Sequence, residues 1–110
     1  MRRSFTAVVE QGNAFAAGFE TEPFEAGWAR EARWFVRFLE RAEDTTLEIE
    51  PQISPDGLVW CGDGARHAPA PAPELLSFTQ REFGNWLRLR VRLGGPAPHV
   101  KVVIYLALKE

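Results

Sequence analysis

Two apolar runs with a period of two close the sequence. Leu87, Leu89, Val91 and Leu93 alternate with Arg88, Arg90 and Arg92, and after the spacer Gly94-Gly95-Pro96-Ala97-Pro98-His99 the period resumes in Val100, Val102, Ile104, Leu106 and Leu108. Successive side chains of a strand point to opposite faces, so this period marks half-buried strands. The spacer is a loop of turn formers. The pattern predicts an antiparallel hairpin with Leu93 near Val100 and Leu87 near Leu106, both apolar sets sharing one face.

The same period runs from Thr46, where Leu47, Ile49, Pro51 and Ile53 oppose Glu48, Glu50 and Gln52. Pro51 has no N–H for a ladder, which places this strand at an edge or turns the Pro51 nitrogen away from any neighbour. Ser54-Pro55-Asp56-Gly57 then reads as a hairpin loop of three to four residues, with Leu58 to Cys61 as the returning strand. Trp28 to Ala42 fits both periods; we read it as a strand, with a helix as the rival. The strand reading makes Glu43 to Thr46 a tight connection that sets Arg41 beside Glu48 and Arg37 beside Gln52. Ser4 to Glu10 and part of Phe15 to Phe24 supply two short strands around a Gln11-Gly12-Asn13 turn, and Leu75 to Gln80 another. Ala68 to Pro73, with a proline at every second position, is an extended crossing. Many short strands, frequent turns and one long crossing predict an all-β fold, an antiparallel β-sandwich with jelly-roll or Greek-key connection.

A length of 110 residues suits one domain, 1–110. Hydrophobic residues at 45% and charged residues at 25% provide for a core and exclude a disordered composition. A net charge of -2 gives no global attraction to nucleic acid or acidic membranes. A single cysteine forms no internal disulfide. The apolar run of MRRSFTAVVEQ breaks at Glu10, short of a signal-peptide core, and no 18-residue apolar stretch occurs. These features predict a soluble protein made in the cytoplasm, with no membrane partner.

The order ARWFVRFLERAEDTTLEIEPQISPDGLVW, then LLSFTQ, then NWLRLRVRLGGPAPHVKVVIYLALKE resembles small β-sandwich proteins of tailed bacteriophages and prophages. Ser54, Pro55, Asp56, Gly57 and Trp60 match their hairpin, Phe78, Thr79 and Gln80 the middle element, and Gly94, Gly95 and Pro98 the last loop. The match covers roughly residues 28 to 110 and is a pattern of strands and turns. It implies a virion or virion-associated structural component and carries over no catalytic residue. Richness in Arg and Trp, and the longer Pro-Ala run, depart from that pattern and keep a host protein of the same fold open.

Chemistry is sparse. Asp56 and Asp63 each precede a glycine, but the several alternating oxygen ligands and later Glu of a calcium loop are missing, so both read as turn residues and no metal is expected. Cys61 has no second cysteine and no catalytic spacing to His67 or His99; it reads as a small, buried or half-buried hydrophobe, and both histidines as solvated loop residues. No nucleophile-base set, phosphate loop or zinc spacing occurs, so no enzyme and no cofactor is expected. Arg88, Arg90 and Arg92, with Lys101 on the neighbouring strand and Trp86 nearby, could track a nucleic-acid backbone; the alternative is a solvated face paired with Glu48 and Glu50. The acidic balance favours the second. Four tryptophans leave a carbohydrate-binding module as the alternative function, although Trp34, Trp60 and Trp86 fall in or beside strands, where core packing is commoner.

On the last strand Val103, Tyr105 and Ala107 are apolar opposite Val102, Ile104 and Leu106, so both faces need cover. Phe35 and Leu39 add apolar groups among the outward arginines of their strand. Either the N-terminal segment covers this face or a second copy does. The expectation is a non-enzymatic virion-type structural protein that forms a homo-oligomer through Val103, Tyr105, Ala107, Phe35 and Leu39, assembling with itself and with other virion or shell proteins into a particle.

Overall fold

The computed structural model describes residues 3–110. Its strands are β1 (Ser4–Phe15), β2 (Phe19–Glu20), β3 (Phe24–Glu25), β4 (Glu31–Phe38), β5 (Thr46–Ser54), β6 (Cys61–Gly62), β7 (Leu75–Arg81), β8 (Trp86–Gly94) and β9 (Val100–Lys109), with no helix among the described residues. One sheet, here A, has the order β1-β9-β4-β7; the other, B, has β2-β8-β5-β6 with β3 also on β8. All pairings are antiparallel. The fold is an antiparallel β-sandwich in which, from β4 onward, consecutive long strands (β4, β5, β7, β8 and β9) alternate between the sheets.

Within Trp28 to Ala42 the strand is Glu31–Phe38: on β4, Ala32, Trp34, Val36 and Phe38 are buried while Arg33 and Arg37 are exposed. The core lies between the sheets and includes Trp34, Ile49, Leu87, Leu89, Ile104, Leu106 and Leu108, each fully buried. Each such aliphatic side chain contributes about 1.5–3 kcal/mol on leaving water. Indole Nε1 of Trp34 donates to Gln80 Oε1 at 2.8 Å, giving the one polar atom of that ring a buried acceptor.

The closing hairpin does not form. β8 pairs with β5, and β9 pairs with β1 and β4, so residues 95–99 cross from sheet B to sheet A. The apolar sets Leu87 to Leu93 and Val100 to Leu108 meet across the core instead of side by side. A period of two fixes the face a side chain takes but not the strand beside it, and both arrangements satisfy it. For the same reason Arg41 does not lie beside Glu48, nor Arg37 beside Gln52. β4 and β5 belong to different sheets; Arg37 faces Leu75 and Val103, while Glu48 faces Arg92 and Gln52 faces Arg88.

Smaller departures share a local cause. Residues 4–15 make one long strand: Gly12, at φ +102°, accommodates a register shift between Gln11 and Ala14 rather than a turn. Residues 55–60 form a wider loop than a tight hairpin, and only Cys61 and Gly62 return along β5. Pro51 accepts a hydrogen bond at its carbonyl from Asp63 N on the β6 side of β5, so its nitrogen also points away from β8.

The β4–β5 and β8–β9 connections are tied together. Thr45 Oγ1 accepts from His99 N at 3.1 Å, and a Cβ on Gly95, at φ +103°, would meet the Asp44 carbonyl. The His99 ring is accessible in its turn, but both its nitrogens are engaged: Nδ1 lies 3.0 Å from Ala97 O and Nε2 3.1 Å from Arg41 O. Both carbonyls only accept, so both ring nitrogens are called on to donate. The Ala97 carbonyl, then that of Arg41, holds the pKa above the ordinary 6.5. The folded state thus binds this proton more tightly than the unfolded state. Its stabilisation is complete below pH 6.5 and is lost as pH rises through the raised value. We expect the melting-temperature advantage of the parent over His99→Gln to be larger below pH 6.5 and to shrink above it, read by parallel thermal scans.

His67 is likewise structural. It bridges Ile49 through backbone hydrogen bonds of 2.8 and 2.9 Å and stacks on Phe78 with ring centroids 3.9 Å apart. Burial pushes its pKa down, against a weaker upward pull from Asp63. The backbone bridge to β5 and the stacking on Phe78 of β7 link one sheet to the other at this point.

Candidate assembly surface

The outer face of sheet A brings the five outward residues together. Phe35 lies opposite Tyr105, Arg33 opposite Ala107 and Arg37 opposite Val103. Leu39 prolongs β4, its N–H donating to Lys101 O at 2.8 Å, and its side chain and that of Val103 lie over Gly12. A Cβ at Gly12 would make ordinary van der Waals contact with both, so it is the φ of +102° that calls for glycine here. On the flanks, Val8 faces Tyr105 from β1, while Ser77 and Leu75 face Phe35 and Arg37 from β7. Phe35, Val103, Tyr105 and Ala107 are half-buried. Val8, Leu39 and Leu75 are exposed by 45%, 40% and 52%.

Sequence reasoning missed Val8 and Leu75. Each sits in an apolar doublet, Val8-Val9 and Leu75-Leu76, in which one member must face outward on a strand. The N-terminal segment does not cover the face: β1 joins the edge of β9 as a fourth strand of the same sheet. Among the described residues no other element layers over it.

The surroundings are basic. Arg33, Arg37 and Lys101 ring the apolar stripe, with Lys109, Arg81 and Glu31 at one end. Arg33 Nη1 donates to Ser77 Oγ at 2.9 Å and Arg81 pairs with Glu31 at 3.5 Å. Between them is a shallow groove of about 260 Å³ floored by Phe35, Thr79 and Ala107.

Sheet B presents a different outer face. Arg88 Nη1 lies 2.6 Å from Glu20, its Nε donates to Gln52 Oε1 at 2.7 Å, and the guanidinium stacks 4.4 Å from the Trp60 ring. Arg66 reaches both Glu48 and Glu50 at 3.4 Å, and Arg92 reaches Glu48 at 3.9 Å. Arg88 and Arg92 of the arginine stripe are answered by local carboxylates, and Lys101 lies on the other sheet rather than on a neighbouring strand. The remaining tryptophans are also engaged: Trp86 packs over Gly57, and Trp28 carries Arg3 4.6 Å from its ring.

The β5–β6 loop is held by its own side chains. Ser54 Oγ accepts from Asp56 N at 3.2 Å and Gly57 N at 2.8 Å, while Asp56 Oδ1 accepts from Leu58 N at 2.9 Å and Val59 N at 3.1 Å. These N–H donors, Leu58 first, hold the Asp56 carboxyl below its ordinary range. Asp63 Oδ1 similarly accepts from Ala65 N at 3.0 Å. We expect the melting temperature of the parent, and of Asp56→Ala with Asp63→Ala, to be the same in calcium as in chelator. A calcium-dependent rise confined to the parent marks a true ion site. Cys61 is exposed rather than tucked in, because a two-residue edge strand leaves its side chain no second layer.

No family model matches the sequence, and no curated protein is significantly similar to it. Solved structures match in fold. PBSX exported protein XepA superposes with a TM-score of 0.69 at 14% identity, over 94% of this chain and 36% of its own. The chain therefore spans about a third of XepA. SPBc2 prophage-derived protein YomS gives 0.66 at 13% identity over 100% of this chain and 96% of its own. The VP2 subviral particle of infectious bursal disease virus gives 0.62 at 13%, over 98% and 32%. The chain has the β-sandwich fold that these prophage and viral proteins share.

Proposed function

We propose that residues 1–110 form one non-enzymatic structural module of phage or prophage virion type, which works by assembling with copies of itself through the outer face of sheet A. Other virion or shell proteins are its further partners, and synthesis in the cytoplasm precedes incorporation into a particle. The carrying observation is that β9 is apolar on both faces while only the inner one is covered among the described residues. Contiguous exposed apolar area is rare on soluble monomers, and a mixed aromatic, aliphatic and arginine surface is the composition of interface cores. Similarity to prophage proteins and to a protein of a subviral particle supports the structural reading. No helix of the described residues is long and apolar enough to cross a membrane.

Native mass spectrometry at concentrations on the order of tens of micromolar tests it. An oligomer is expected; a monomer there removes the proposal's support.

A further inference from the structure

The largest apolar protrusion lies away from that face. Leu58 and Val59, at the tip of the β5–β6 loop, are 83% and 72% exposed, more than any other large hydrophobic side chain among the described residues. A flexible loop could fold two such side chains inward. Here the Ser54 and Asp56 hydrogen bonds fix the backbone that carries them, so they are presented to solvent in a set geometry. The loop is also acidic: Asp56 and Asp63 are its only charged residues between Ser54 and Gly64.

The groove on sheet A has the opposite character. It is concave where the loop is convex, and Arg33, Arg81 and Lys109 at its rim outnumber Glu31. Its floor of Phe35 and Ala107 is apolar. The loop joins two strands of sheet B, and the groove lies on sheet A.

We propose that the Leu58–Val59 loop of one copy docks into the Arg33–Phe35–Ala107 groove of the next. The occupant is a second copy because one chain carries both halves of a contact complementary in shape and charge. This deepens the assembly reading above and rests on it. Docked head to tail, a pair keeps one free loop and one free groove, so addition continues into a ring or a filament. The acidic loop meets a basic rim, so association weakens with added salt.

Two variants test this. Leu58→Ser with Val59→Ser removes the loop's apolar tip at exposed positions, and Arg33→Glu with Ala107→Glu reverses and fills the groove. Each alone should associate at least about thirtyfold more weakly than the parent. Mixed in equal amounts, they should form a one-to-one heterodimer and nothing larger, since a single live loop meets a single live groove. Native mass spectrometry reads all three samples, with circular dichroism confirming each fold. If the loop variant assembles like the parent while the groove variant does not, the face pairs symmetrically: the loop docking is overturned and the assembly reading stands. If the parent is monomeric, or both variants assemble like the parent, the assembly reading fails with it.

Cys61, exposed and two residues beyond Val59, gives an independent check on the parent. A benzophenone maleimide placed there should cross-link to β4 or β9 of the neighbouring copy. Cross-links confined to loop against loop overturn the docking. This arm needs no variant to fold.

Discussion

Trp34→Ala is expected to abolish cooperative unfolding. Trp34 is fully buried on the inner face of β4, between Leu106 on one side and Phe78 on the other. Truncating such a side chain costs about 3–5 kcal/mol in lost burial and residual cavity. It also orphans Gln80 Oε1, whose residue is 2% exposed and whose Nε2 already has no protein partner. An unmet buried acceptor adds about 1–3 kcal/mol. The sum reaches the lower range of a whole domain's stability, about 5–15 kcal/mol. Urea titration followed by circular dichroism reads it. Trp34→Phe separates the two contributions: it keeps much of the volume but still orphans the acceptor. Adding Gln80→Leu should then recover stability, because removing both polar partners is far less costly than removing one. If the double variant is weaker than Trp34→Phe alone, Gln80 matters for another reason.

If the chain assembles through sheet A as proposed, Tyr105→Glu with Val103→Lys should leave the fold intact and turn the oligomer into monomer. Both side chains point outward from the middle strand of sheet A, so in the isolated chain the new charges remain in contact with water. In the assembled state they would be enclosed against apolar surface, and each unpaired charge then costs several kcal/mol. At about 1.4 kcal/mol per tenfold change, association should weaken by more than about a hundredfold. Native mass spectrometry and circular dichroism on parent and variant decide it. A variant that unfolds instead of dissociating shows the face to be interior, and the assembly proposal then loses its basis.

What was legible in the sequence was the inward or outward direction of each side chain. Trp34, Val36 and Phe38 against Arg33 and Arg37, and Val102, Ile104 and Leu106 against Val103, Tyr105 and Ala107, segregate in the structure as their alternation requires. Strand partners were not legible, because alternation is silent on which strand lies beside which: Leu93 and Val100 looked like hairpin neighbours yet belong to different sheets. Short-range signals misled where the long-range fold used them otherwise. Gly12 served a bulge and not a turn, and His67 gained its stacking partner Phe78 only through a crossover. The outward apolar set could be listed from sequence, but its continuity with Val8 and Leu75 depends on β1 and β7 flanking β9 and β4 in one sheet.

The alternation of the long strands from β4 to β9 between the sheets also governs how fast the structure can be reached. β1 waits for β9, β4 for β7 and β9, and β5 for β8, so the sole pairing between consecutive strands is the two-residue β6 against β5. A chain of this kind has almost no local nucleus; wide loops must close before any ladder repays them, which places folding in the millisecond-to-second range. During synthesis the difficulty is sharper. β9 sits between β1 and β4, so until it leaves the ribosome sheet A has no centre, and β1 and β4 expose their edges and apolar inner faces meanwhile.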